Sequence, residues 1–271
     1  MKRILLVWMG LWVISLHAAQ TDTIRIPDAV MGRHLRAVIV IPDAYSQTDR
    51  RFPVVYLLHG WSGSYRDWAA HMDLGPLADE YGFILVCPEG GYAGWYLDSP
   101  LKPKSRYETY LTKTVILFID NHYRTIASRK GRFITGLSMG GHGALSLLCK
   151  HPELYDAAGS MSGVLELTAS TRKYGLAQLL GDYREHRERW EKNSVLKLVE
   201  HLRGKPRGVL IDCGVADPFL PANRKVHRKM IELGIPHDYC ERPGGHSWDY
   251  WTRVLKYHLM FFREWFLSHS R

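Results

Sequence analysis

Wholly apolar runs of strand length lie over residues 53–58 and 83–87, and further strand-like runs, each with one or two polar residues, over 132–135, 157–161 and 208–213. A strand buried on both faces reads that way, because neither side of its pleat meets water. Segments with helical spacing lie between these runs. Over 107–122, Tyr107, Leu111, Val115 and Phe118 share one face while Lys113 and Asp120 fall elsewhere. Residues 139–150 and 222–233 read as further helices, the second stopped by Gly234, and 66–80 as a broken helix interrupted by Gly75-Pro76. The order strand, helix, strand predicts a mainly parallel twisted sheet with helices on both faces. Three departures frame it. Residues 23–26 and 33–41, closed by Pro42-Asp43, predict an antiparallel hairpin at one edge. Residues 163–206 turn polar and mostly helical, predicting a small cap-like insertion above the sheet. The last strand, over 237–241, runs into a closing helix over 247–267.

At 271 residues, 46% hydrophobic and 23% charged, the chain can bury a full core. No linker or low-complexity tract divides it, so a single domain is expected over 20–271. Residues 1–19 differ in kind: Lys2 and Arg3 precede an apolar stretch from Ile4 to Ile14, and small residues follow at Ala18 and Ala19. That layout predicts a signal peptide, hence an exported protein, periplasmic or secreted, with no stable membrane insertion once the leader is removed. The net charge of +9 does not point to nucleic acid. Its arginines are interleaved with acids, as in Arg184, Arg187 and Arg189 among Glu185, Glu188 and Glu191, which describes a solvated helix face. The four cysteines show no C-x-x-C spacing, so no metal site is expected and buried free thiols are the first reading. Cys213 and Cys240 are the one pair whose strands could be neighbours and bridge.

The chemistry gathers where such a sheet would put it, on the loops beyond the carboxyl ends of its strands. Gly136-Leu137-Ser138-Met139-Gly140 is a Gly-x-Ser-x-Gly turn between a strand and a small-residue helix, the layout of a nucleophile elbow. A serine hydroxyl needs a base in reach and a carboxylate to orient that base. His246, behind Gly244-Gly245 at a strand end, is the candidate base. Asp217, in the loop Val215-Ala216-Asp217-Pro218, is favoured as the acid over Asp212, which falls on the strand itself. The backbone amides of Met139 and of Trp61, after His59-Gly60, are the expected oxyanion donors. Trp95 and Trp248, with Trp61, are candidate substrate-binding residues.

Several blocks then point the same way. Leu57-Leu58-His59-Gly60-Trp61-Ser62-Gly63, Trp95-Tyr96-Leu97-Asp98-Ser99, Tyr107-Glu108-Thr109-Tyr110, Gly136-Leu137-Ser138-Met139-Gly140-Gly141 and Gly245-His246-Ser247-Trp248-Asp249 resemble the signature blocks of the esterase D group of α/β-hydrolases. That group includes S-formylglutathione hydrolases, tributyrin esterases, and acetyl and feruloyl esterases. The resemblance spans nearly all of residues 30–265 and implies an α/β-hydrolase fold with Ser138, Asp217 and His246 as triad. It implies a serine carboxylesterase for short-chain acyl or aryl esters that uses no metal or organic cofactor. The leader departs from the cytosolic S-formylglutathione hydrolases and shifts the expected substrate to a carbohydrate ester. A sugar acyltransferase, an S-formylglutathione hydrolase-like thioesterase and an inactive glycan-binding module remain the alternatives.

Overall fold

Five runs in the middle of the chain are buried at every residue: β3 (Val54–Leu58), β4 (Ile84–Pro88), β5 (Arg132–Gly136), β6 (Ala157–Met161) and β7 (Gly208–Gly214). The computed structural model describes residues 18–170 and 173–269. Of the expected leader, all but Ala18 and Ala19 lies outside the described residues. With β1 (Gln20–Asp28), β2 (Arg33–Ile41) and β8 (Asp238–Arg242) the central runs make one eight-stranded sheet, in the order β1-β2-β4-β3-β5-β6-β7-β8. The pairs β1/β2 and β2/β4 are antiparallel and every other pair is parallel. The hairpin at the edge is longer than its apolar alternation suggests, because the exposed residues of β1 complete the pairing from Gln20↔Ile41 to Asp28↔Arg33.

Side chains alternate across a strand, so each buried strand feeds two cores. Val54, Tyr56 and Leu58 join one core, and Val55 and Leu57 the other. The first is covered by a helix over 107–122, by Met139–Lys150 and by Leu220–Glu232; the second by Asp67–His71, Gly75–Tyr81 and Trp248–His269. In chain order these are α1 (Asp67–His71), α2 (Gly75–Tyr81), α3 (107–122), α4 (Met139–Lys150), α5 (Leu220–Glu232) and α6 (Trp248–His269). Gly75-Pro76 opens α2 instead of interrupting a longer helix, since α1 has already ended at His71. Proline is at ease in a first turn, where no N–H is needed and its φ is preset. α3 winds as a π-helix over Tyr110–Val115, and α5 starts two residues early around Pro221.

Residues 163–206 form short helical turns, Leu176–Leu180, Arg187–Glu191 and Val195–Leu198, and no strand among the described residues. They are tied down by Trp190 and Leu198 in the first core and by the Asn193 carbonyl, which accepts from His142 Nε2 of α4 at 2.8 Å. Arg187 pairs with Glu191 at 2.7 Å, as the interleaved charges suggest. The cysteines are free thiols, as first read, and Cys213 and Cys240 do not bridge. Their strands are neighbours, but Cys240 stands opposite Asp212 and Cys213 opposite Glu241. That one-residue stagger sends the two thiols to opposite faces of the sheet. Among the described residues no helix is long and apolar enough to cross a membrane.

Candidate active site

Ser138 sits between β5 and α4 at φ 53°, ψ −114°, a backbone conformation that side-chain-bearing residues rarely adopt. Surrounding bonds impose it. The Ser138 N–H donates to the Met161 carbonyl at 2.9 Å, while the Ser138 carbonyl accepts the N–H groups of His142 and Val164. The glycines behind it are required by proximity. A Cβ on Gly140 would lie 2.5 Å from the Leu58 carbonyl oxygen and 2.7 Å from that of His59. The first turn of α4 is thereby pressed against the end of β3, where the next loop begins.

Three loop ends converge on that serine. His246, on the turn after β8, has Nε2 2.9 Å from Ser138 Oγ and Nδ1 2.9 Å from Asp217 Oδ2. Asp217, after β7, has its side chain wholly buried, and its second oxygen accepts the Phe219 N–H at 2.8 Å. The imidazole is clamped edge to face between Phe219, at 5.0 Å, and Trp251, at 4.8 Å. Asp212 is elsewhere. It is fully buried on β7, accepting Arg242 Nε at 2.7 Å and the Tyr250 hydroxyl, and so ties β7 to β8 and α6.

The loop after β3 carries Trp61. His59 pins it: the Gly90 N–H donates to His59 Nε2 at 2.9 Å, which leaves the proton on Nδ1 to donate to the Gly60 carbonyl at 2.8 Å. Burial lowers the pKa of this imidazole and keeps it neutral, the state both bonds require. The Tyr96 hydroxyl fixes the same turn through the His59 carbonyl at 3.0 Å. The backbone amides of Trp61 and Met139 have no acceptor among the described residues, and that of Met139 opens a helix, where the dipole favours negative charge.

Above them lies a cleft of about 310 Å³, lined by Ser138 and His246 and walled by Trp61, Trp95, Trp248 and Trp251. Trp95 is buried, its indole donating to the Tyr174 carbonyl at 3.0 Å. Trp248 is half-buried and stacks on His71 at 3.8 Å. Sequence reasoning missed five other residues at the cleft: Val164 and Tyr174 from the insertion, Phe219 next to Asp217, Asp67 on α1 and Trp251 on α6. The polar, strandless character of 163–206 signalled a cap, but nothing in the pattern said which of its side chains turns inward.

Residues 29–262 match the family described as "Putative esterase". The chain belongs to that family. An esterase of Mycobacterium tuberculosis (strain ATCC 25618 / H37Rv) is 28% identical over 251 residues, an alignment that takes in 82% of this chain and 54% of the relative. The chain thus spans about half the length of that relative. The acetyl esterase of Caldicellulosiruptor saccharolyticus is 25% identical over 235 residues, covering 79% of this chain and 85% of its own. Among solved structures, a ferulic acid esterase superposes with a TM-score of 0.81 at 26% identity, over 92% of this chain and 99% of that one. The family and the α/β-hydrolase fold expected from the sequence blocks are therefore those of the protein.

Proposed function

We propose that the protein is a serine carboxylesterase that hydrolyses short-chain acyl or aryl esters, acetyl or feruloyl esters of carbohydrates in particular, through an acyl-enzyme. The observation that carries this reading is one imidazole, His246, held 2.9 Å from both Ser138 Oγ and Asp217 Oδ2. As Ser138 Oγ attacks the ester carbonyl carbon, His246 Nε2 takes its proton, and Asp217 keeps the proton on Nδ1 and stabilises the imidazolium. The carbonyl oxygen becomes an oxyanion and turns to the amides of Trp61 and Met139. His246 then returns its proton to the leaving oxygen and the alcohol departs. In the second half, Nε2 deprotonates water, which attacks the acyl carbon; the proton goes back to Ser138 as the acid leaves.

Membership of the esterase family supports an ester substrate, and relatives named acetyl esterase and ferulic acid esterase support short and aryl acyl groups. The indole walls of the cleft support a planar acyl group or a sugar ring. We also propose that the enzyme works outside the cytoplasm, on the strength of the leader over residues 1–19. Ser138→Ala is expected to abolish hydrolysis of p-nitrophenyl acetate and labelling by a fluorophosphonate, with an unchanged circular dichroism spectrum. Retained turnover in that variant sinks the assignment.

A further inference from the structure

Beside the cleft runs a second, shallower groove of about 430 Å³, lined by Arg33 and Arg36 from the start of β2, by Tyr65, and by Glu89 and Tyr92 from the loop after β4. The two concavities share a wall. Trp61 faces the cleft, Tyr92 faces the groove, and their rings meet edge to face at 5.2 Å. The Ser62 N–H, donating to the Tyr92 carbonyl at 2.7 Å, fixes that wall. Both rings keep much of their surface in water, 37% for Trp61 and 62% for Tyr92. Together they form an aromatic step that leads away from Ser138.

The charges beyond the step are set up unusually. Arg36 Nη1 and Arg66 Nε both point at one phenol, Tyr65 Oη, at 3.3 and 2.8 Å, and Arg33 Nη2 donates to Tyr107 Oη at 2.6 Å. Among the described residues none of these three guanidiniums has a carboxylate partner. Arg36 also stands directly opposite Arg25 in the β1/β2 ladder, a like-charge pairing that opposes folding. The one carboxylate in the groove, Glu89, is committed to backbone, accepting the N–H groups of Gly91 at 2.8 Å and Tyr65 at 3.3 Å. Guanidinium groups held by neutral phenols keep their planar donor edges available for a carboxylate.

Building on the esterase reading, we propose that this groove is a subsite for the leaving-group side of the substrate, and that it selects esters of acidic oligosaccharides. A sugar ring would rest on Trp61 and Tyr92, and the carboxylate of a neighbouring uronic acid would meet Arg36 and Arg33. The pairing of an aromatic step with free guanidiniums favours an acidic saccharide over a neutral one, which would leave the arginines idle.

The test compares acetylated glucuronosyl-xylotriose with acetylated xylotetraose on the full-length protein, reading the ratio of their kcat/KM values. At low salt the acidic ester is expected to be favoured by about fivefold, the scale of an exposed charge pair, with the difference in KM. The ratio should fall to about one at high salt, where such contacts are screened. Arg36→Ala is expected to bring it close to one and Arg36→Glu to invert it. A wild-type ratio near one, or a preference that survives Arg36→Glu, overturns the subsite. Calorimetric binding of unesterified glucuronosyl-xylotriose reads the groove without turnover. Arg36-dependent binding by a chain that hydrolyses no ester would keep the subsite and overturn the esterase reading, while ester hydrolysis without such binding would do the reverse.

Discussion

Replacing each of the two neighbouring aspartates by asparagine separates chemistry from architecture. In Asp217→Asn the Phe219 N–H still needs an acceptor, so the new carboxamide places its oxygen there and turns its NH2 toward His246 Nδ1. A donor in that position holds the imidazole in the tautomer with its proton on Nε2, which faces Ser138 Oγ and can no longer accept. A wrong tautomer in such a triad lowers kcat about 10⁴-fold, roughly 5 kcal/mol of transition-state stabilisation. Because the substitution is nearly isosteric and keeps the Phe219 bond, the urea midpoint should barely move. Asp212→Asn should behave in the opposite way. Its carboxylate is wholly buried and serves Arg242 and Tyr250, so loss of its charge leaves a guanidinium half-satisfied and costs about 3 kcal/mol of stability. The folded fraction should turn over p-nitrophenyl acetate within about tenfold of the parent, since this group does not contact the imidazole. Initial rates and urea titrations on the two variants decide the matter. Dead Asp212→Asn beside active Asp217→Asn would refute the assignment of the acid.

Other expectations follow from the same contacts. Gly140→Ala drives a methyl into the carbonyl oxygens of Leu58 and His59, which are backbone and cannot step aside; we expect a loss of about 3 kcal/mol in chemical denaturation, and an unchanged midpoint would contradict the close approach. His142 and His258 are fully buried, and burial lowers the pKa of each to about 4. Both take up a proton in the unfolded chain near pH 6.5 but not in the folded one, so stability is complete above that pH and falls as the pH drops toward 4, by roughly 3 kcal/mol per histidine. Urea curves at pH 7, 5.5 and 4.5 check this, and a flat profile rejects it. The carboxylates of Glu108, bonded by His151 and Lys150 against the upward push of burial, and of Glu241, bonded by Arg224, are held at about 2, so their contribution is lost only at lower pH. Titration of the unfolded protein with a thiol reagent, without reductant, should count four cysteines; two would mean that the stagger of β7 and β8 is wrong.

What could be read from the chain followed from burial. β3 and β4 were legible because strands covered on both faces leave uninterrupted apolar runs, β7 because its run is broken only by Asp212, and Ser138 because a strained turn against β3 requires glycine two residues away on either side. β8 was harder, an edge strand of half-buried and exposed residues whose bounds shifted by one. Tyr174 and Phe219 could not be found because they reach the cleft from segments without periodicity, through contacts made only in three dimensions. The arginine groove was hidden for a different reason. Arg33, Arg36 and Arg66 look like ordinary surface charge until the ladder and the loop after β3 bring the first to Tyr107 and the other two to Tyr65.

The placement of Ser138, Asp217 and His246 at the ends of β5, β7 and β8 also bears on how the protein folds. His246 lies 108 residues from the serine and 29 from the aspartate, and β6 must be in place before β7 can dock beside it. Parallel strands of such separation pair late, since long loops must close before their contacts count. Recovery of esterase activity during refolding would therefore lag the return of helical signal, and would time the arrival of the final strand at the edge of the sheet. A chain stalled one strand short would be largely folded and catalytically silent.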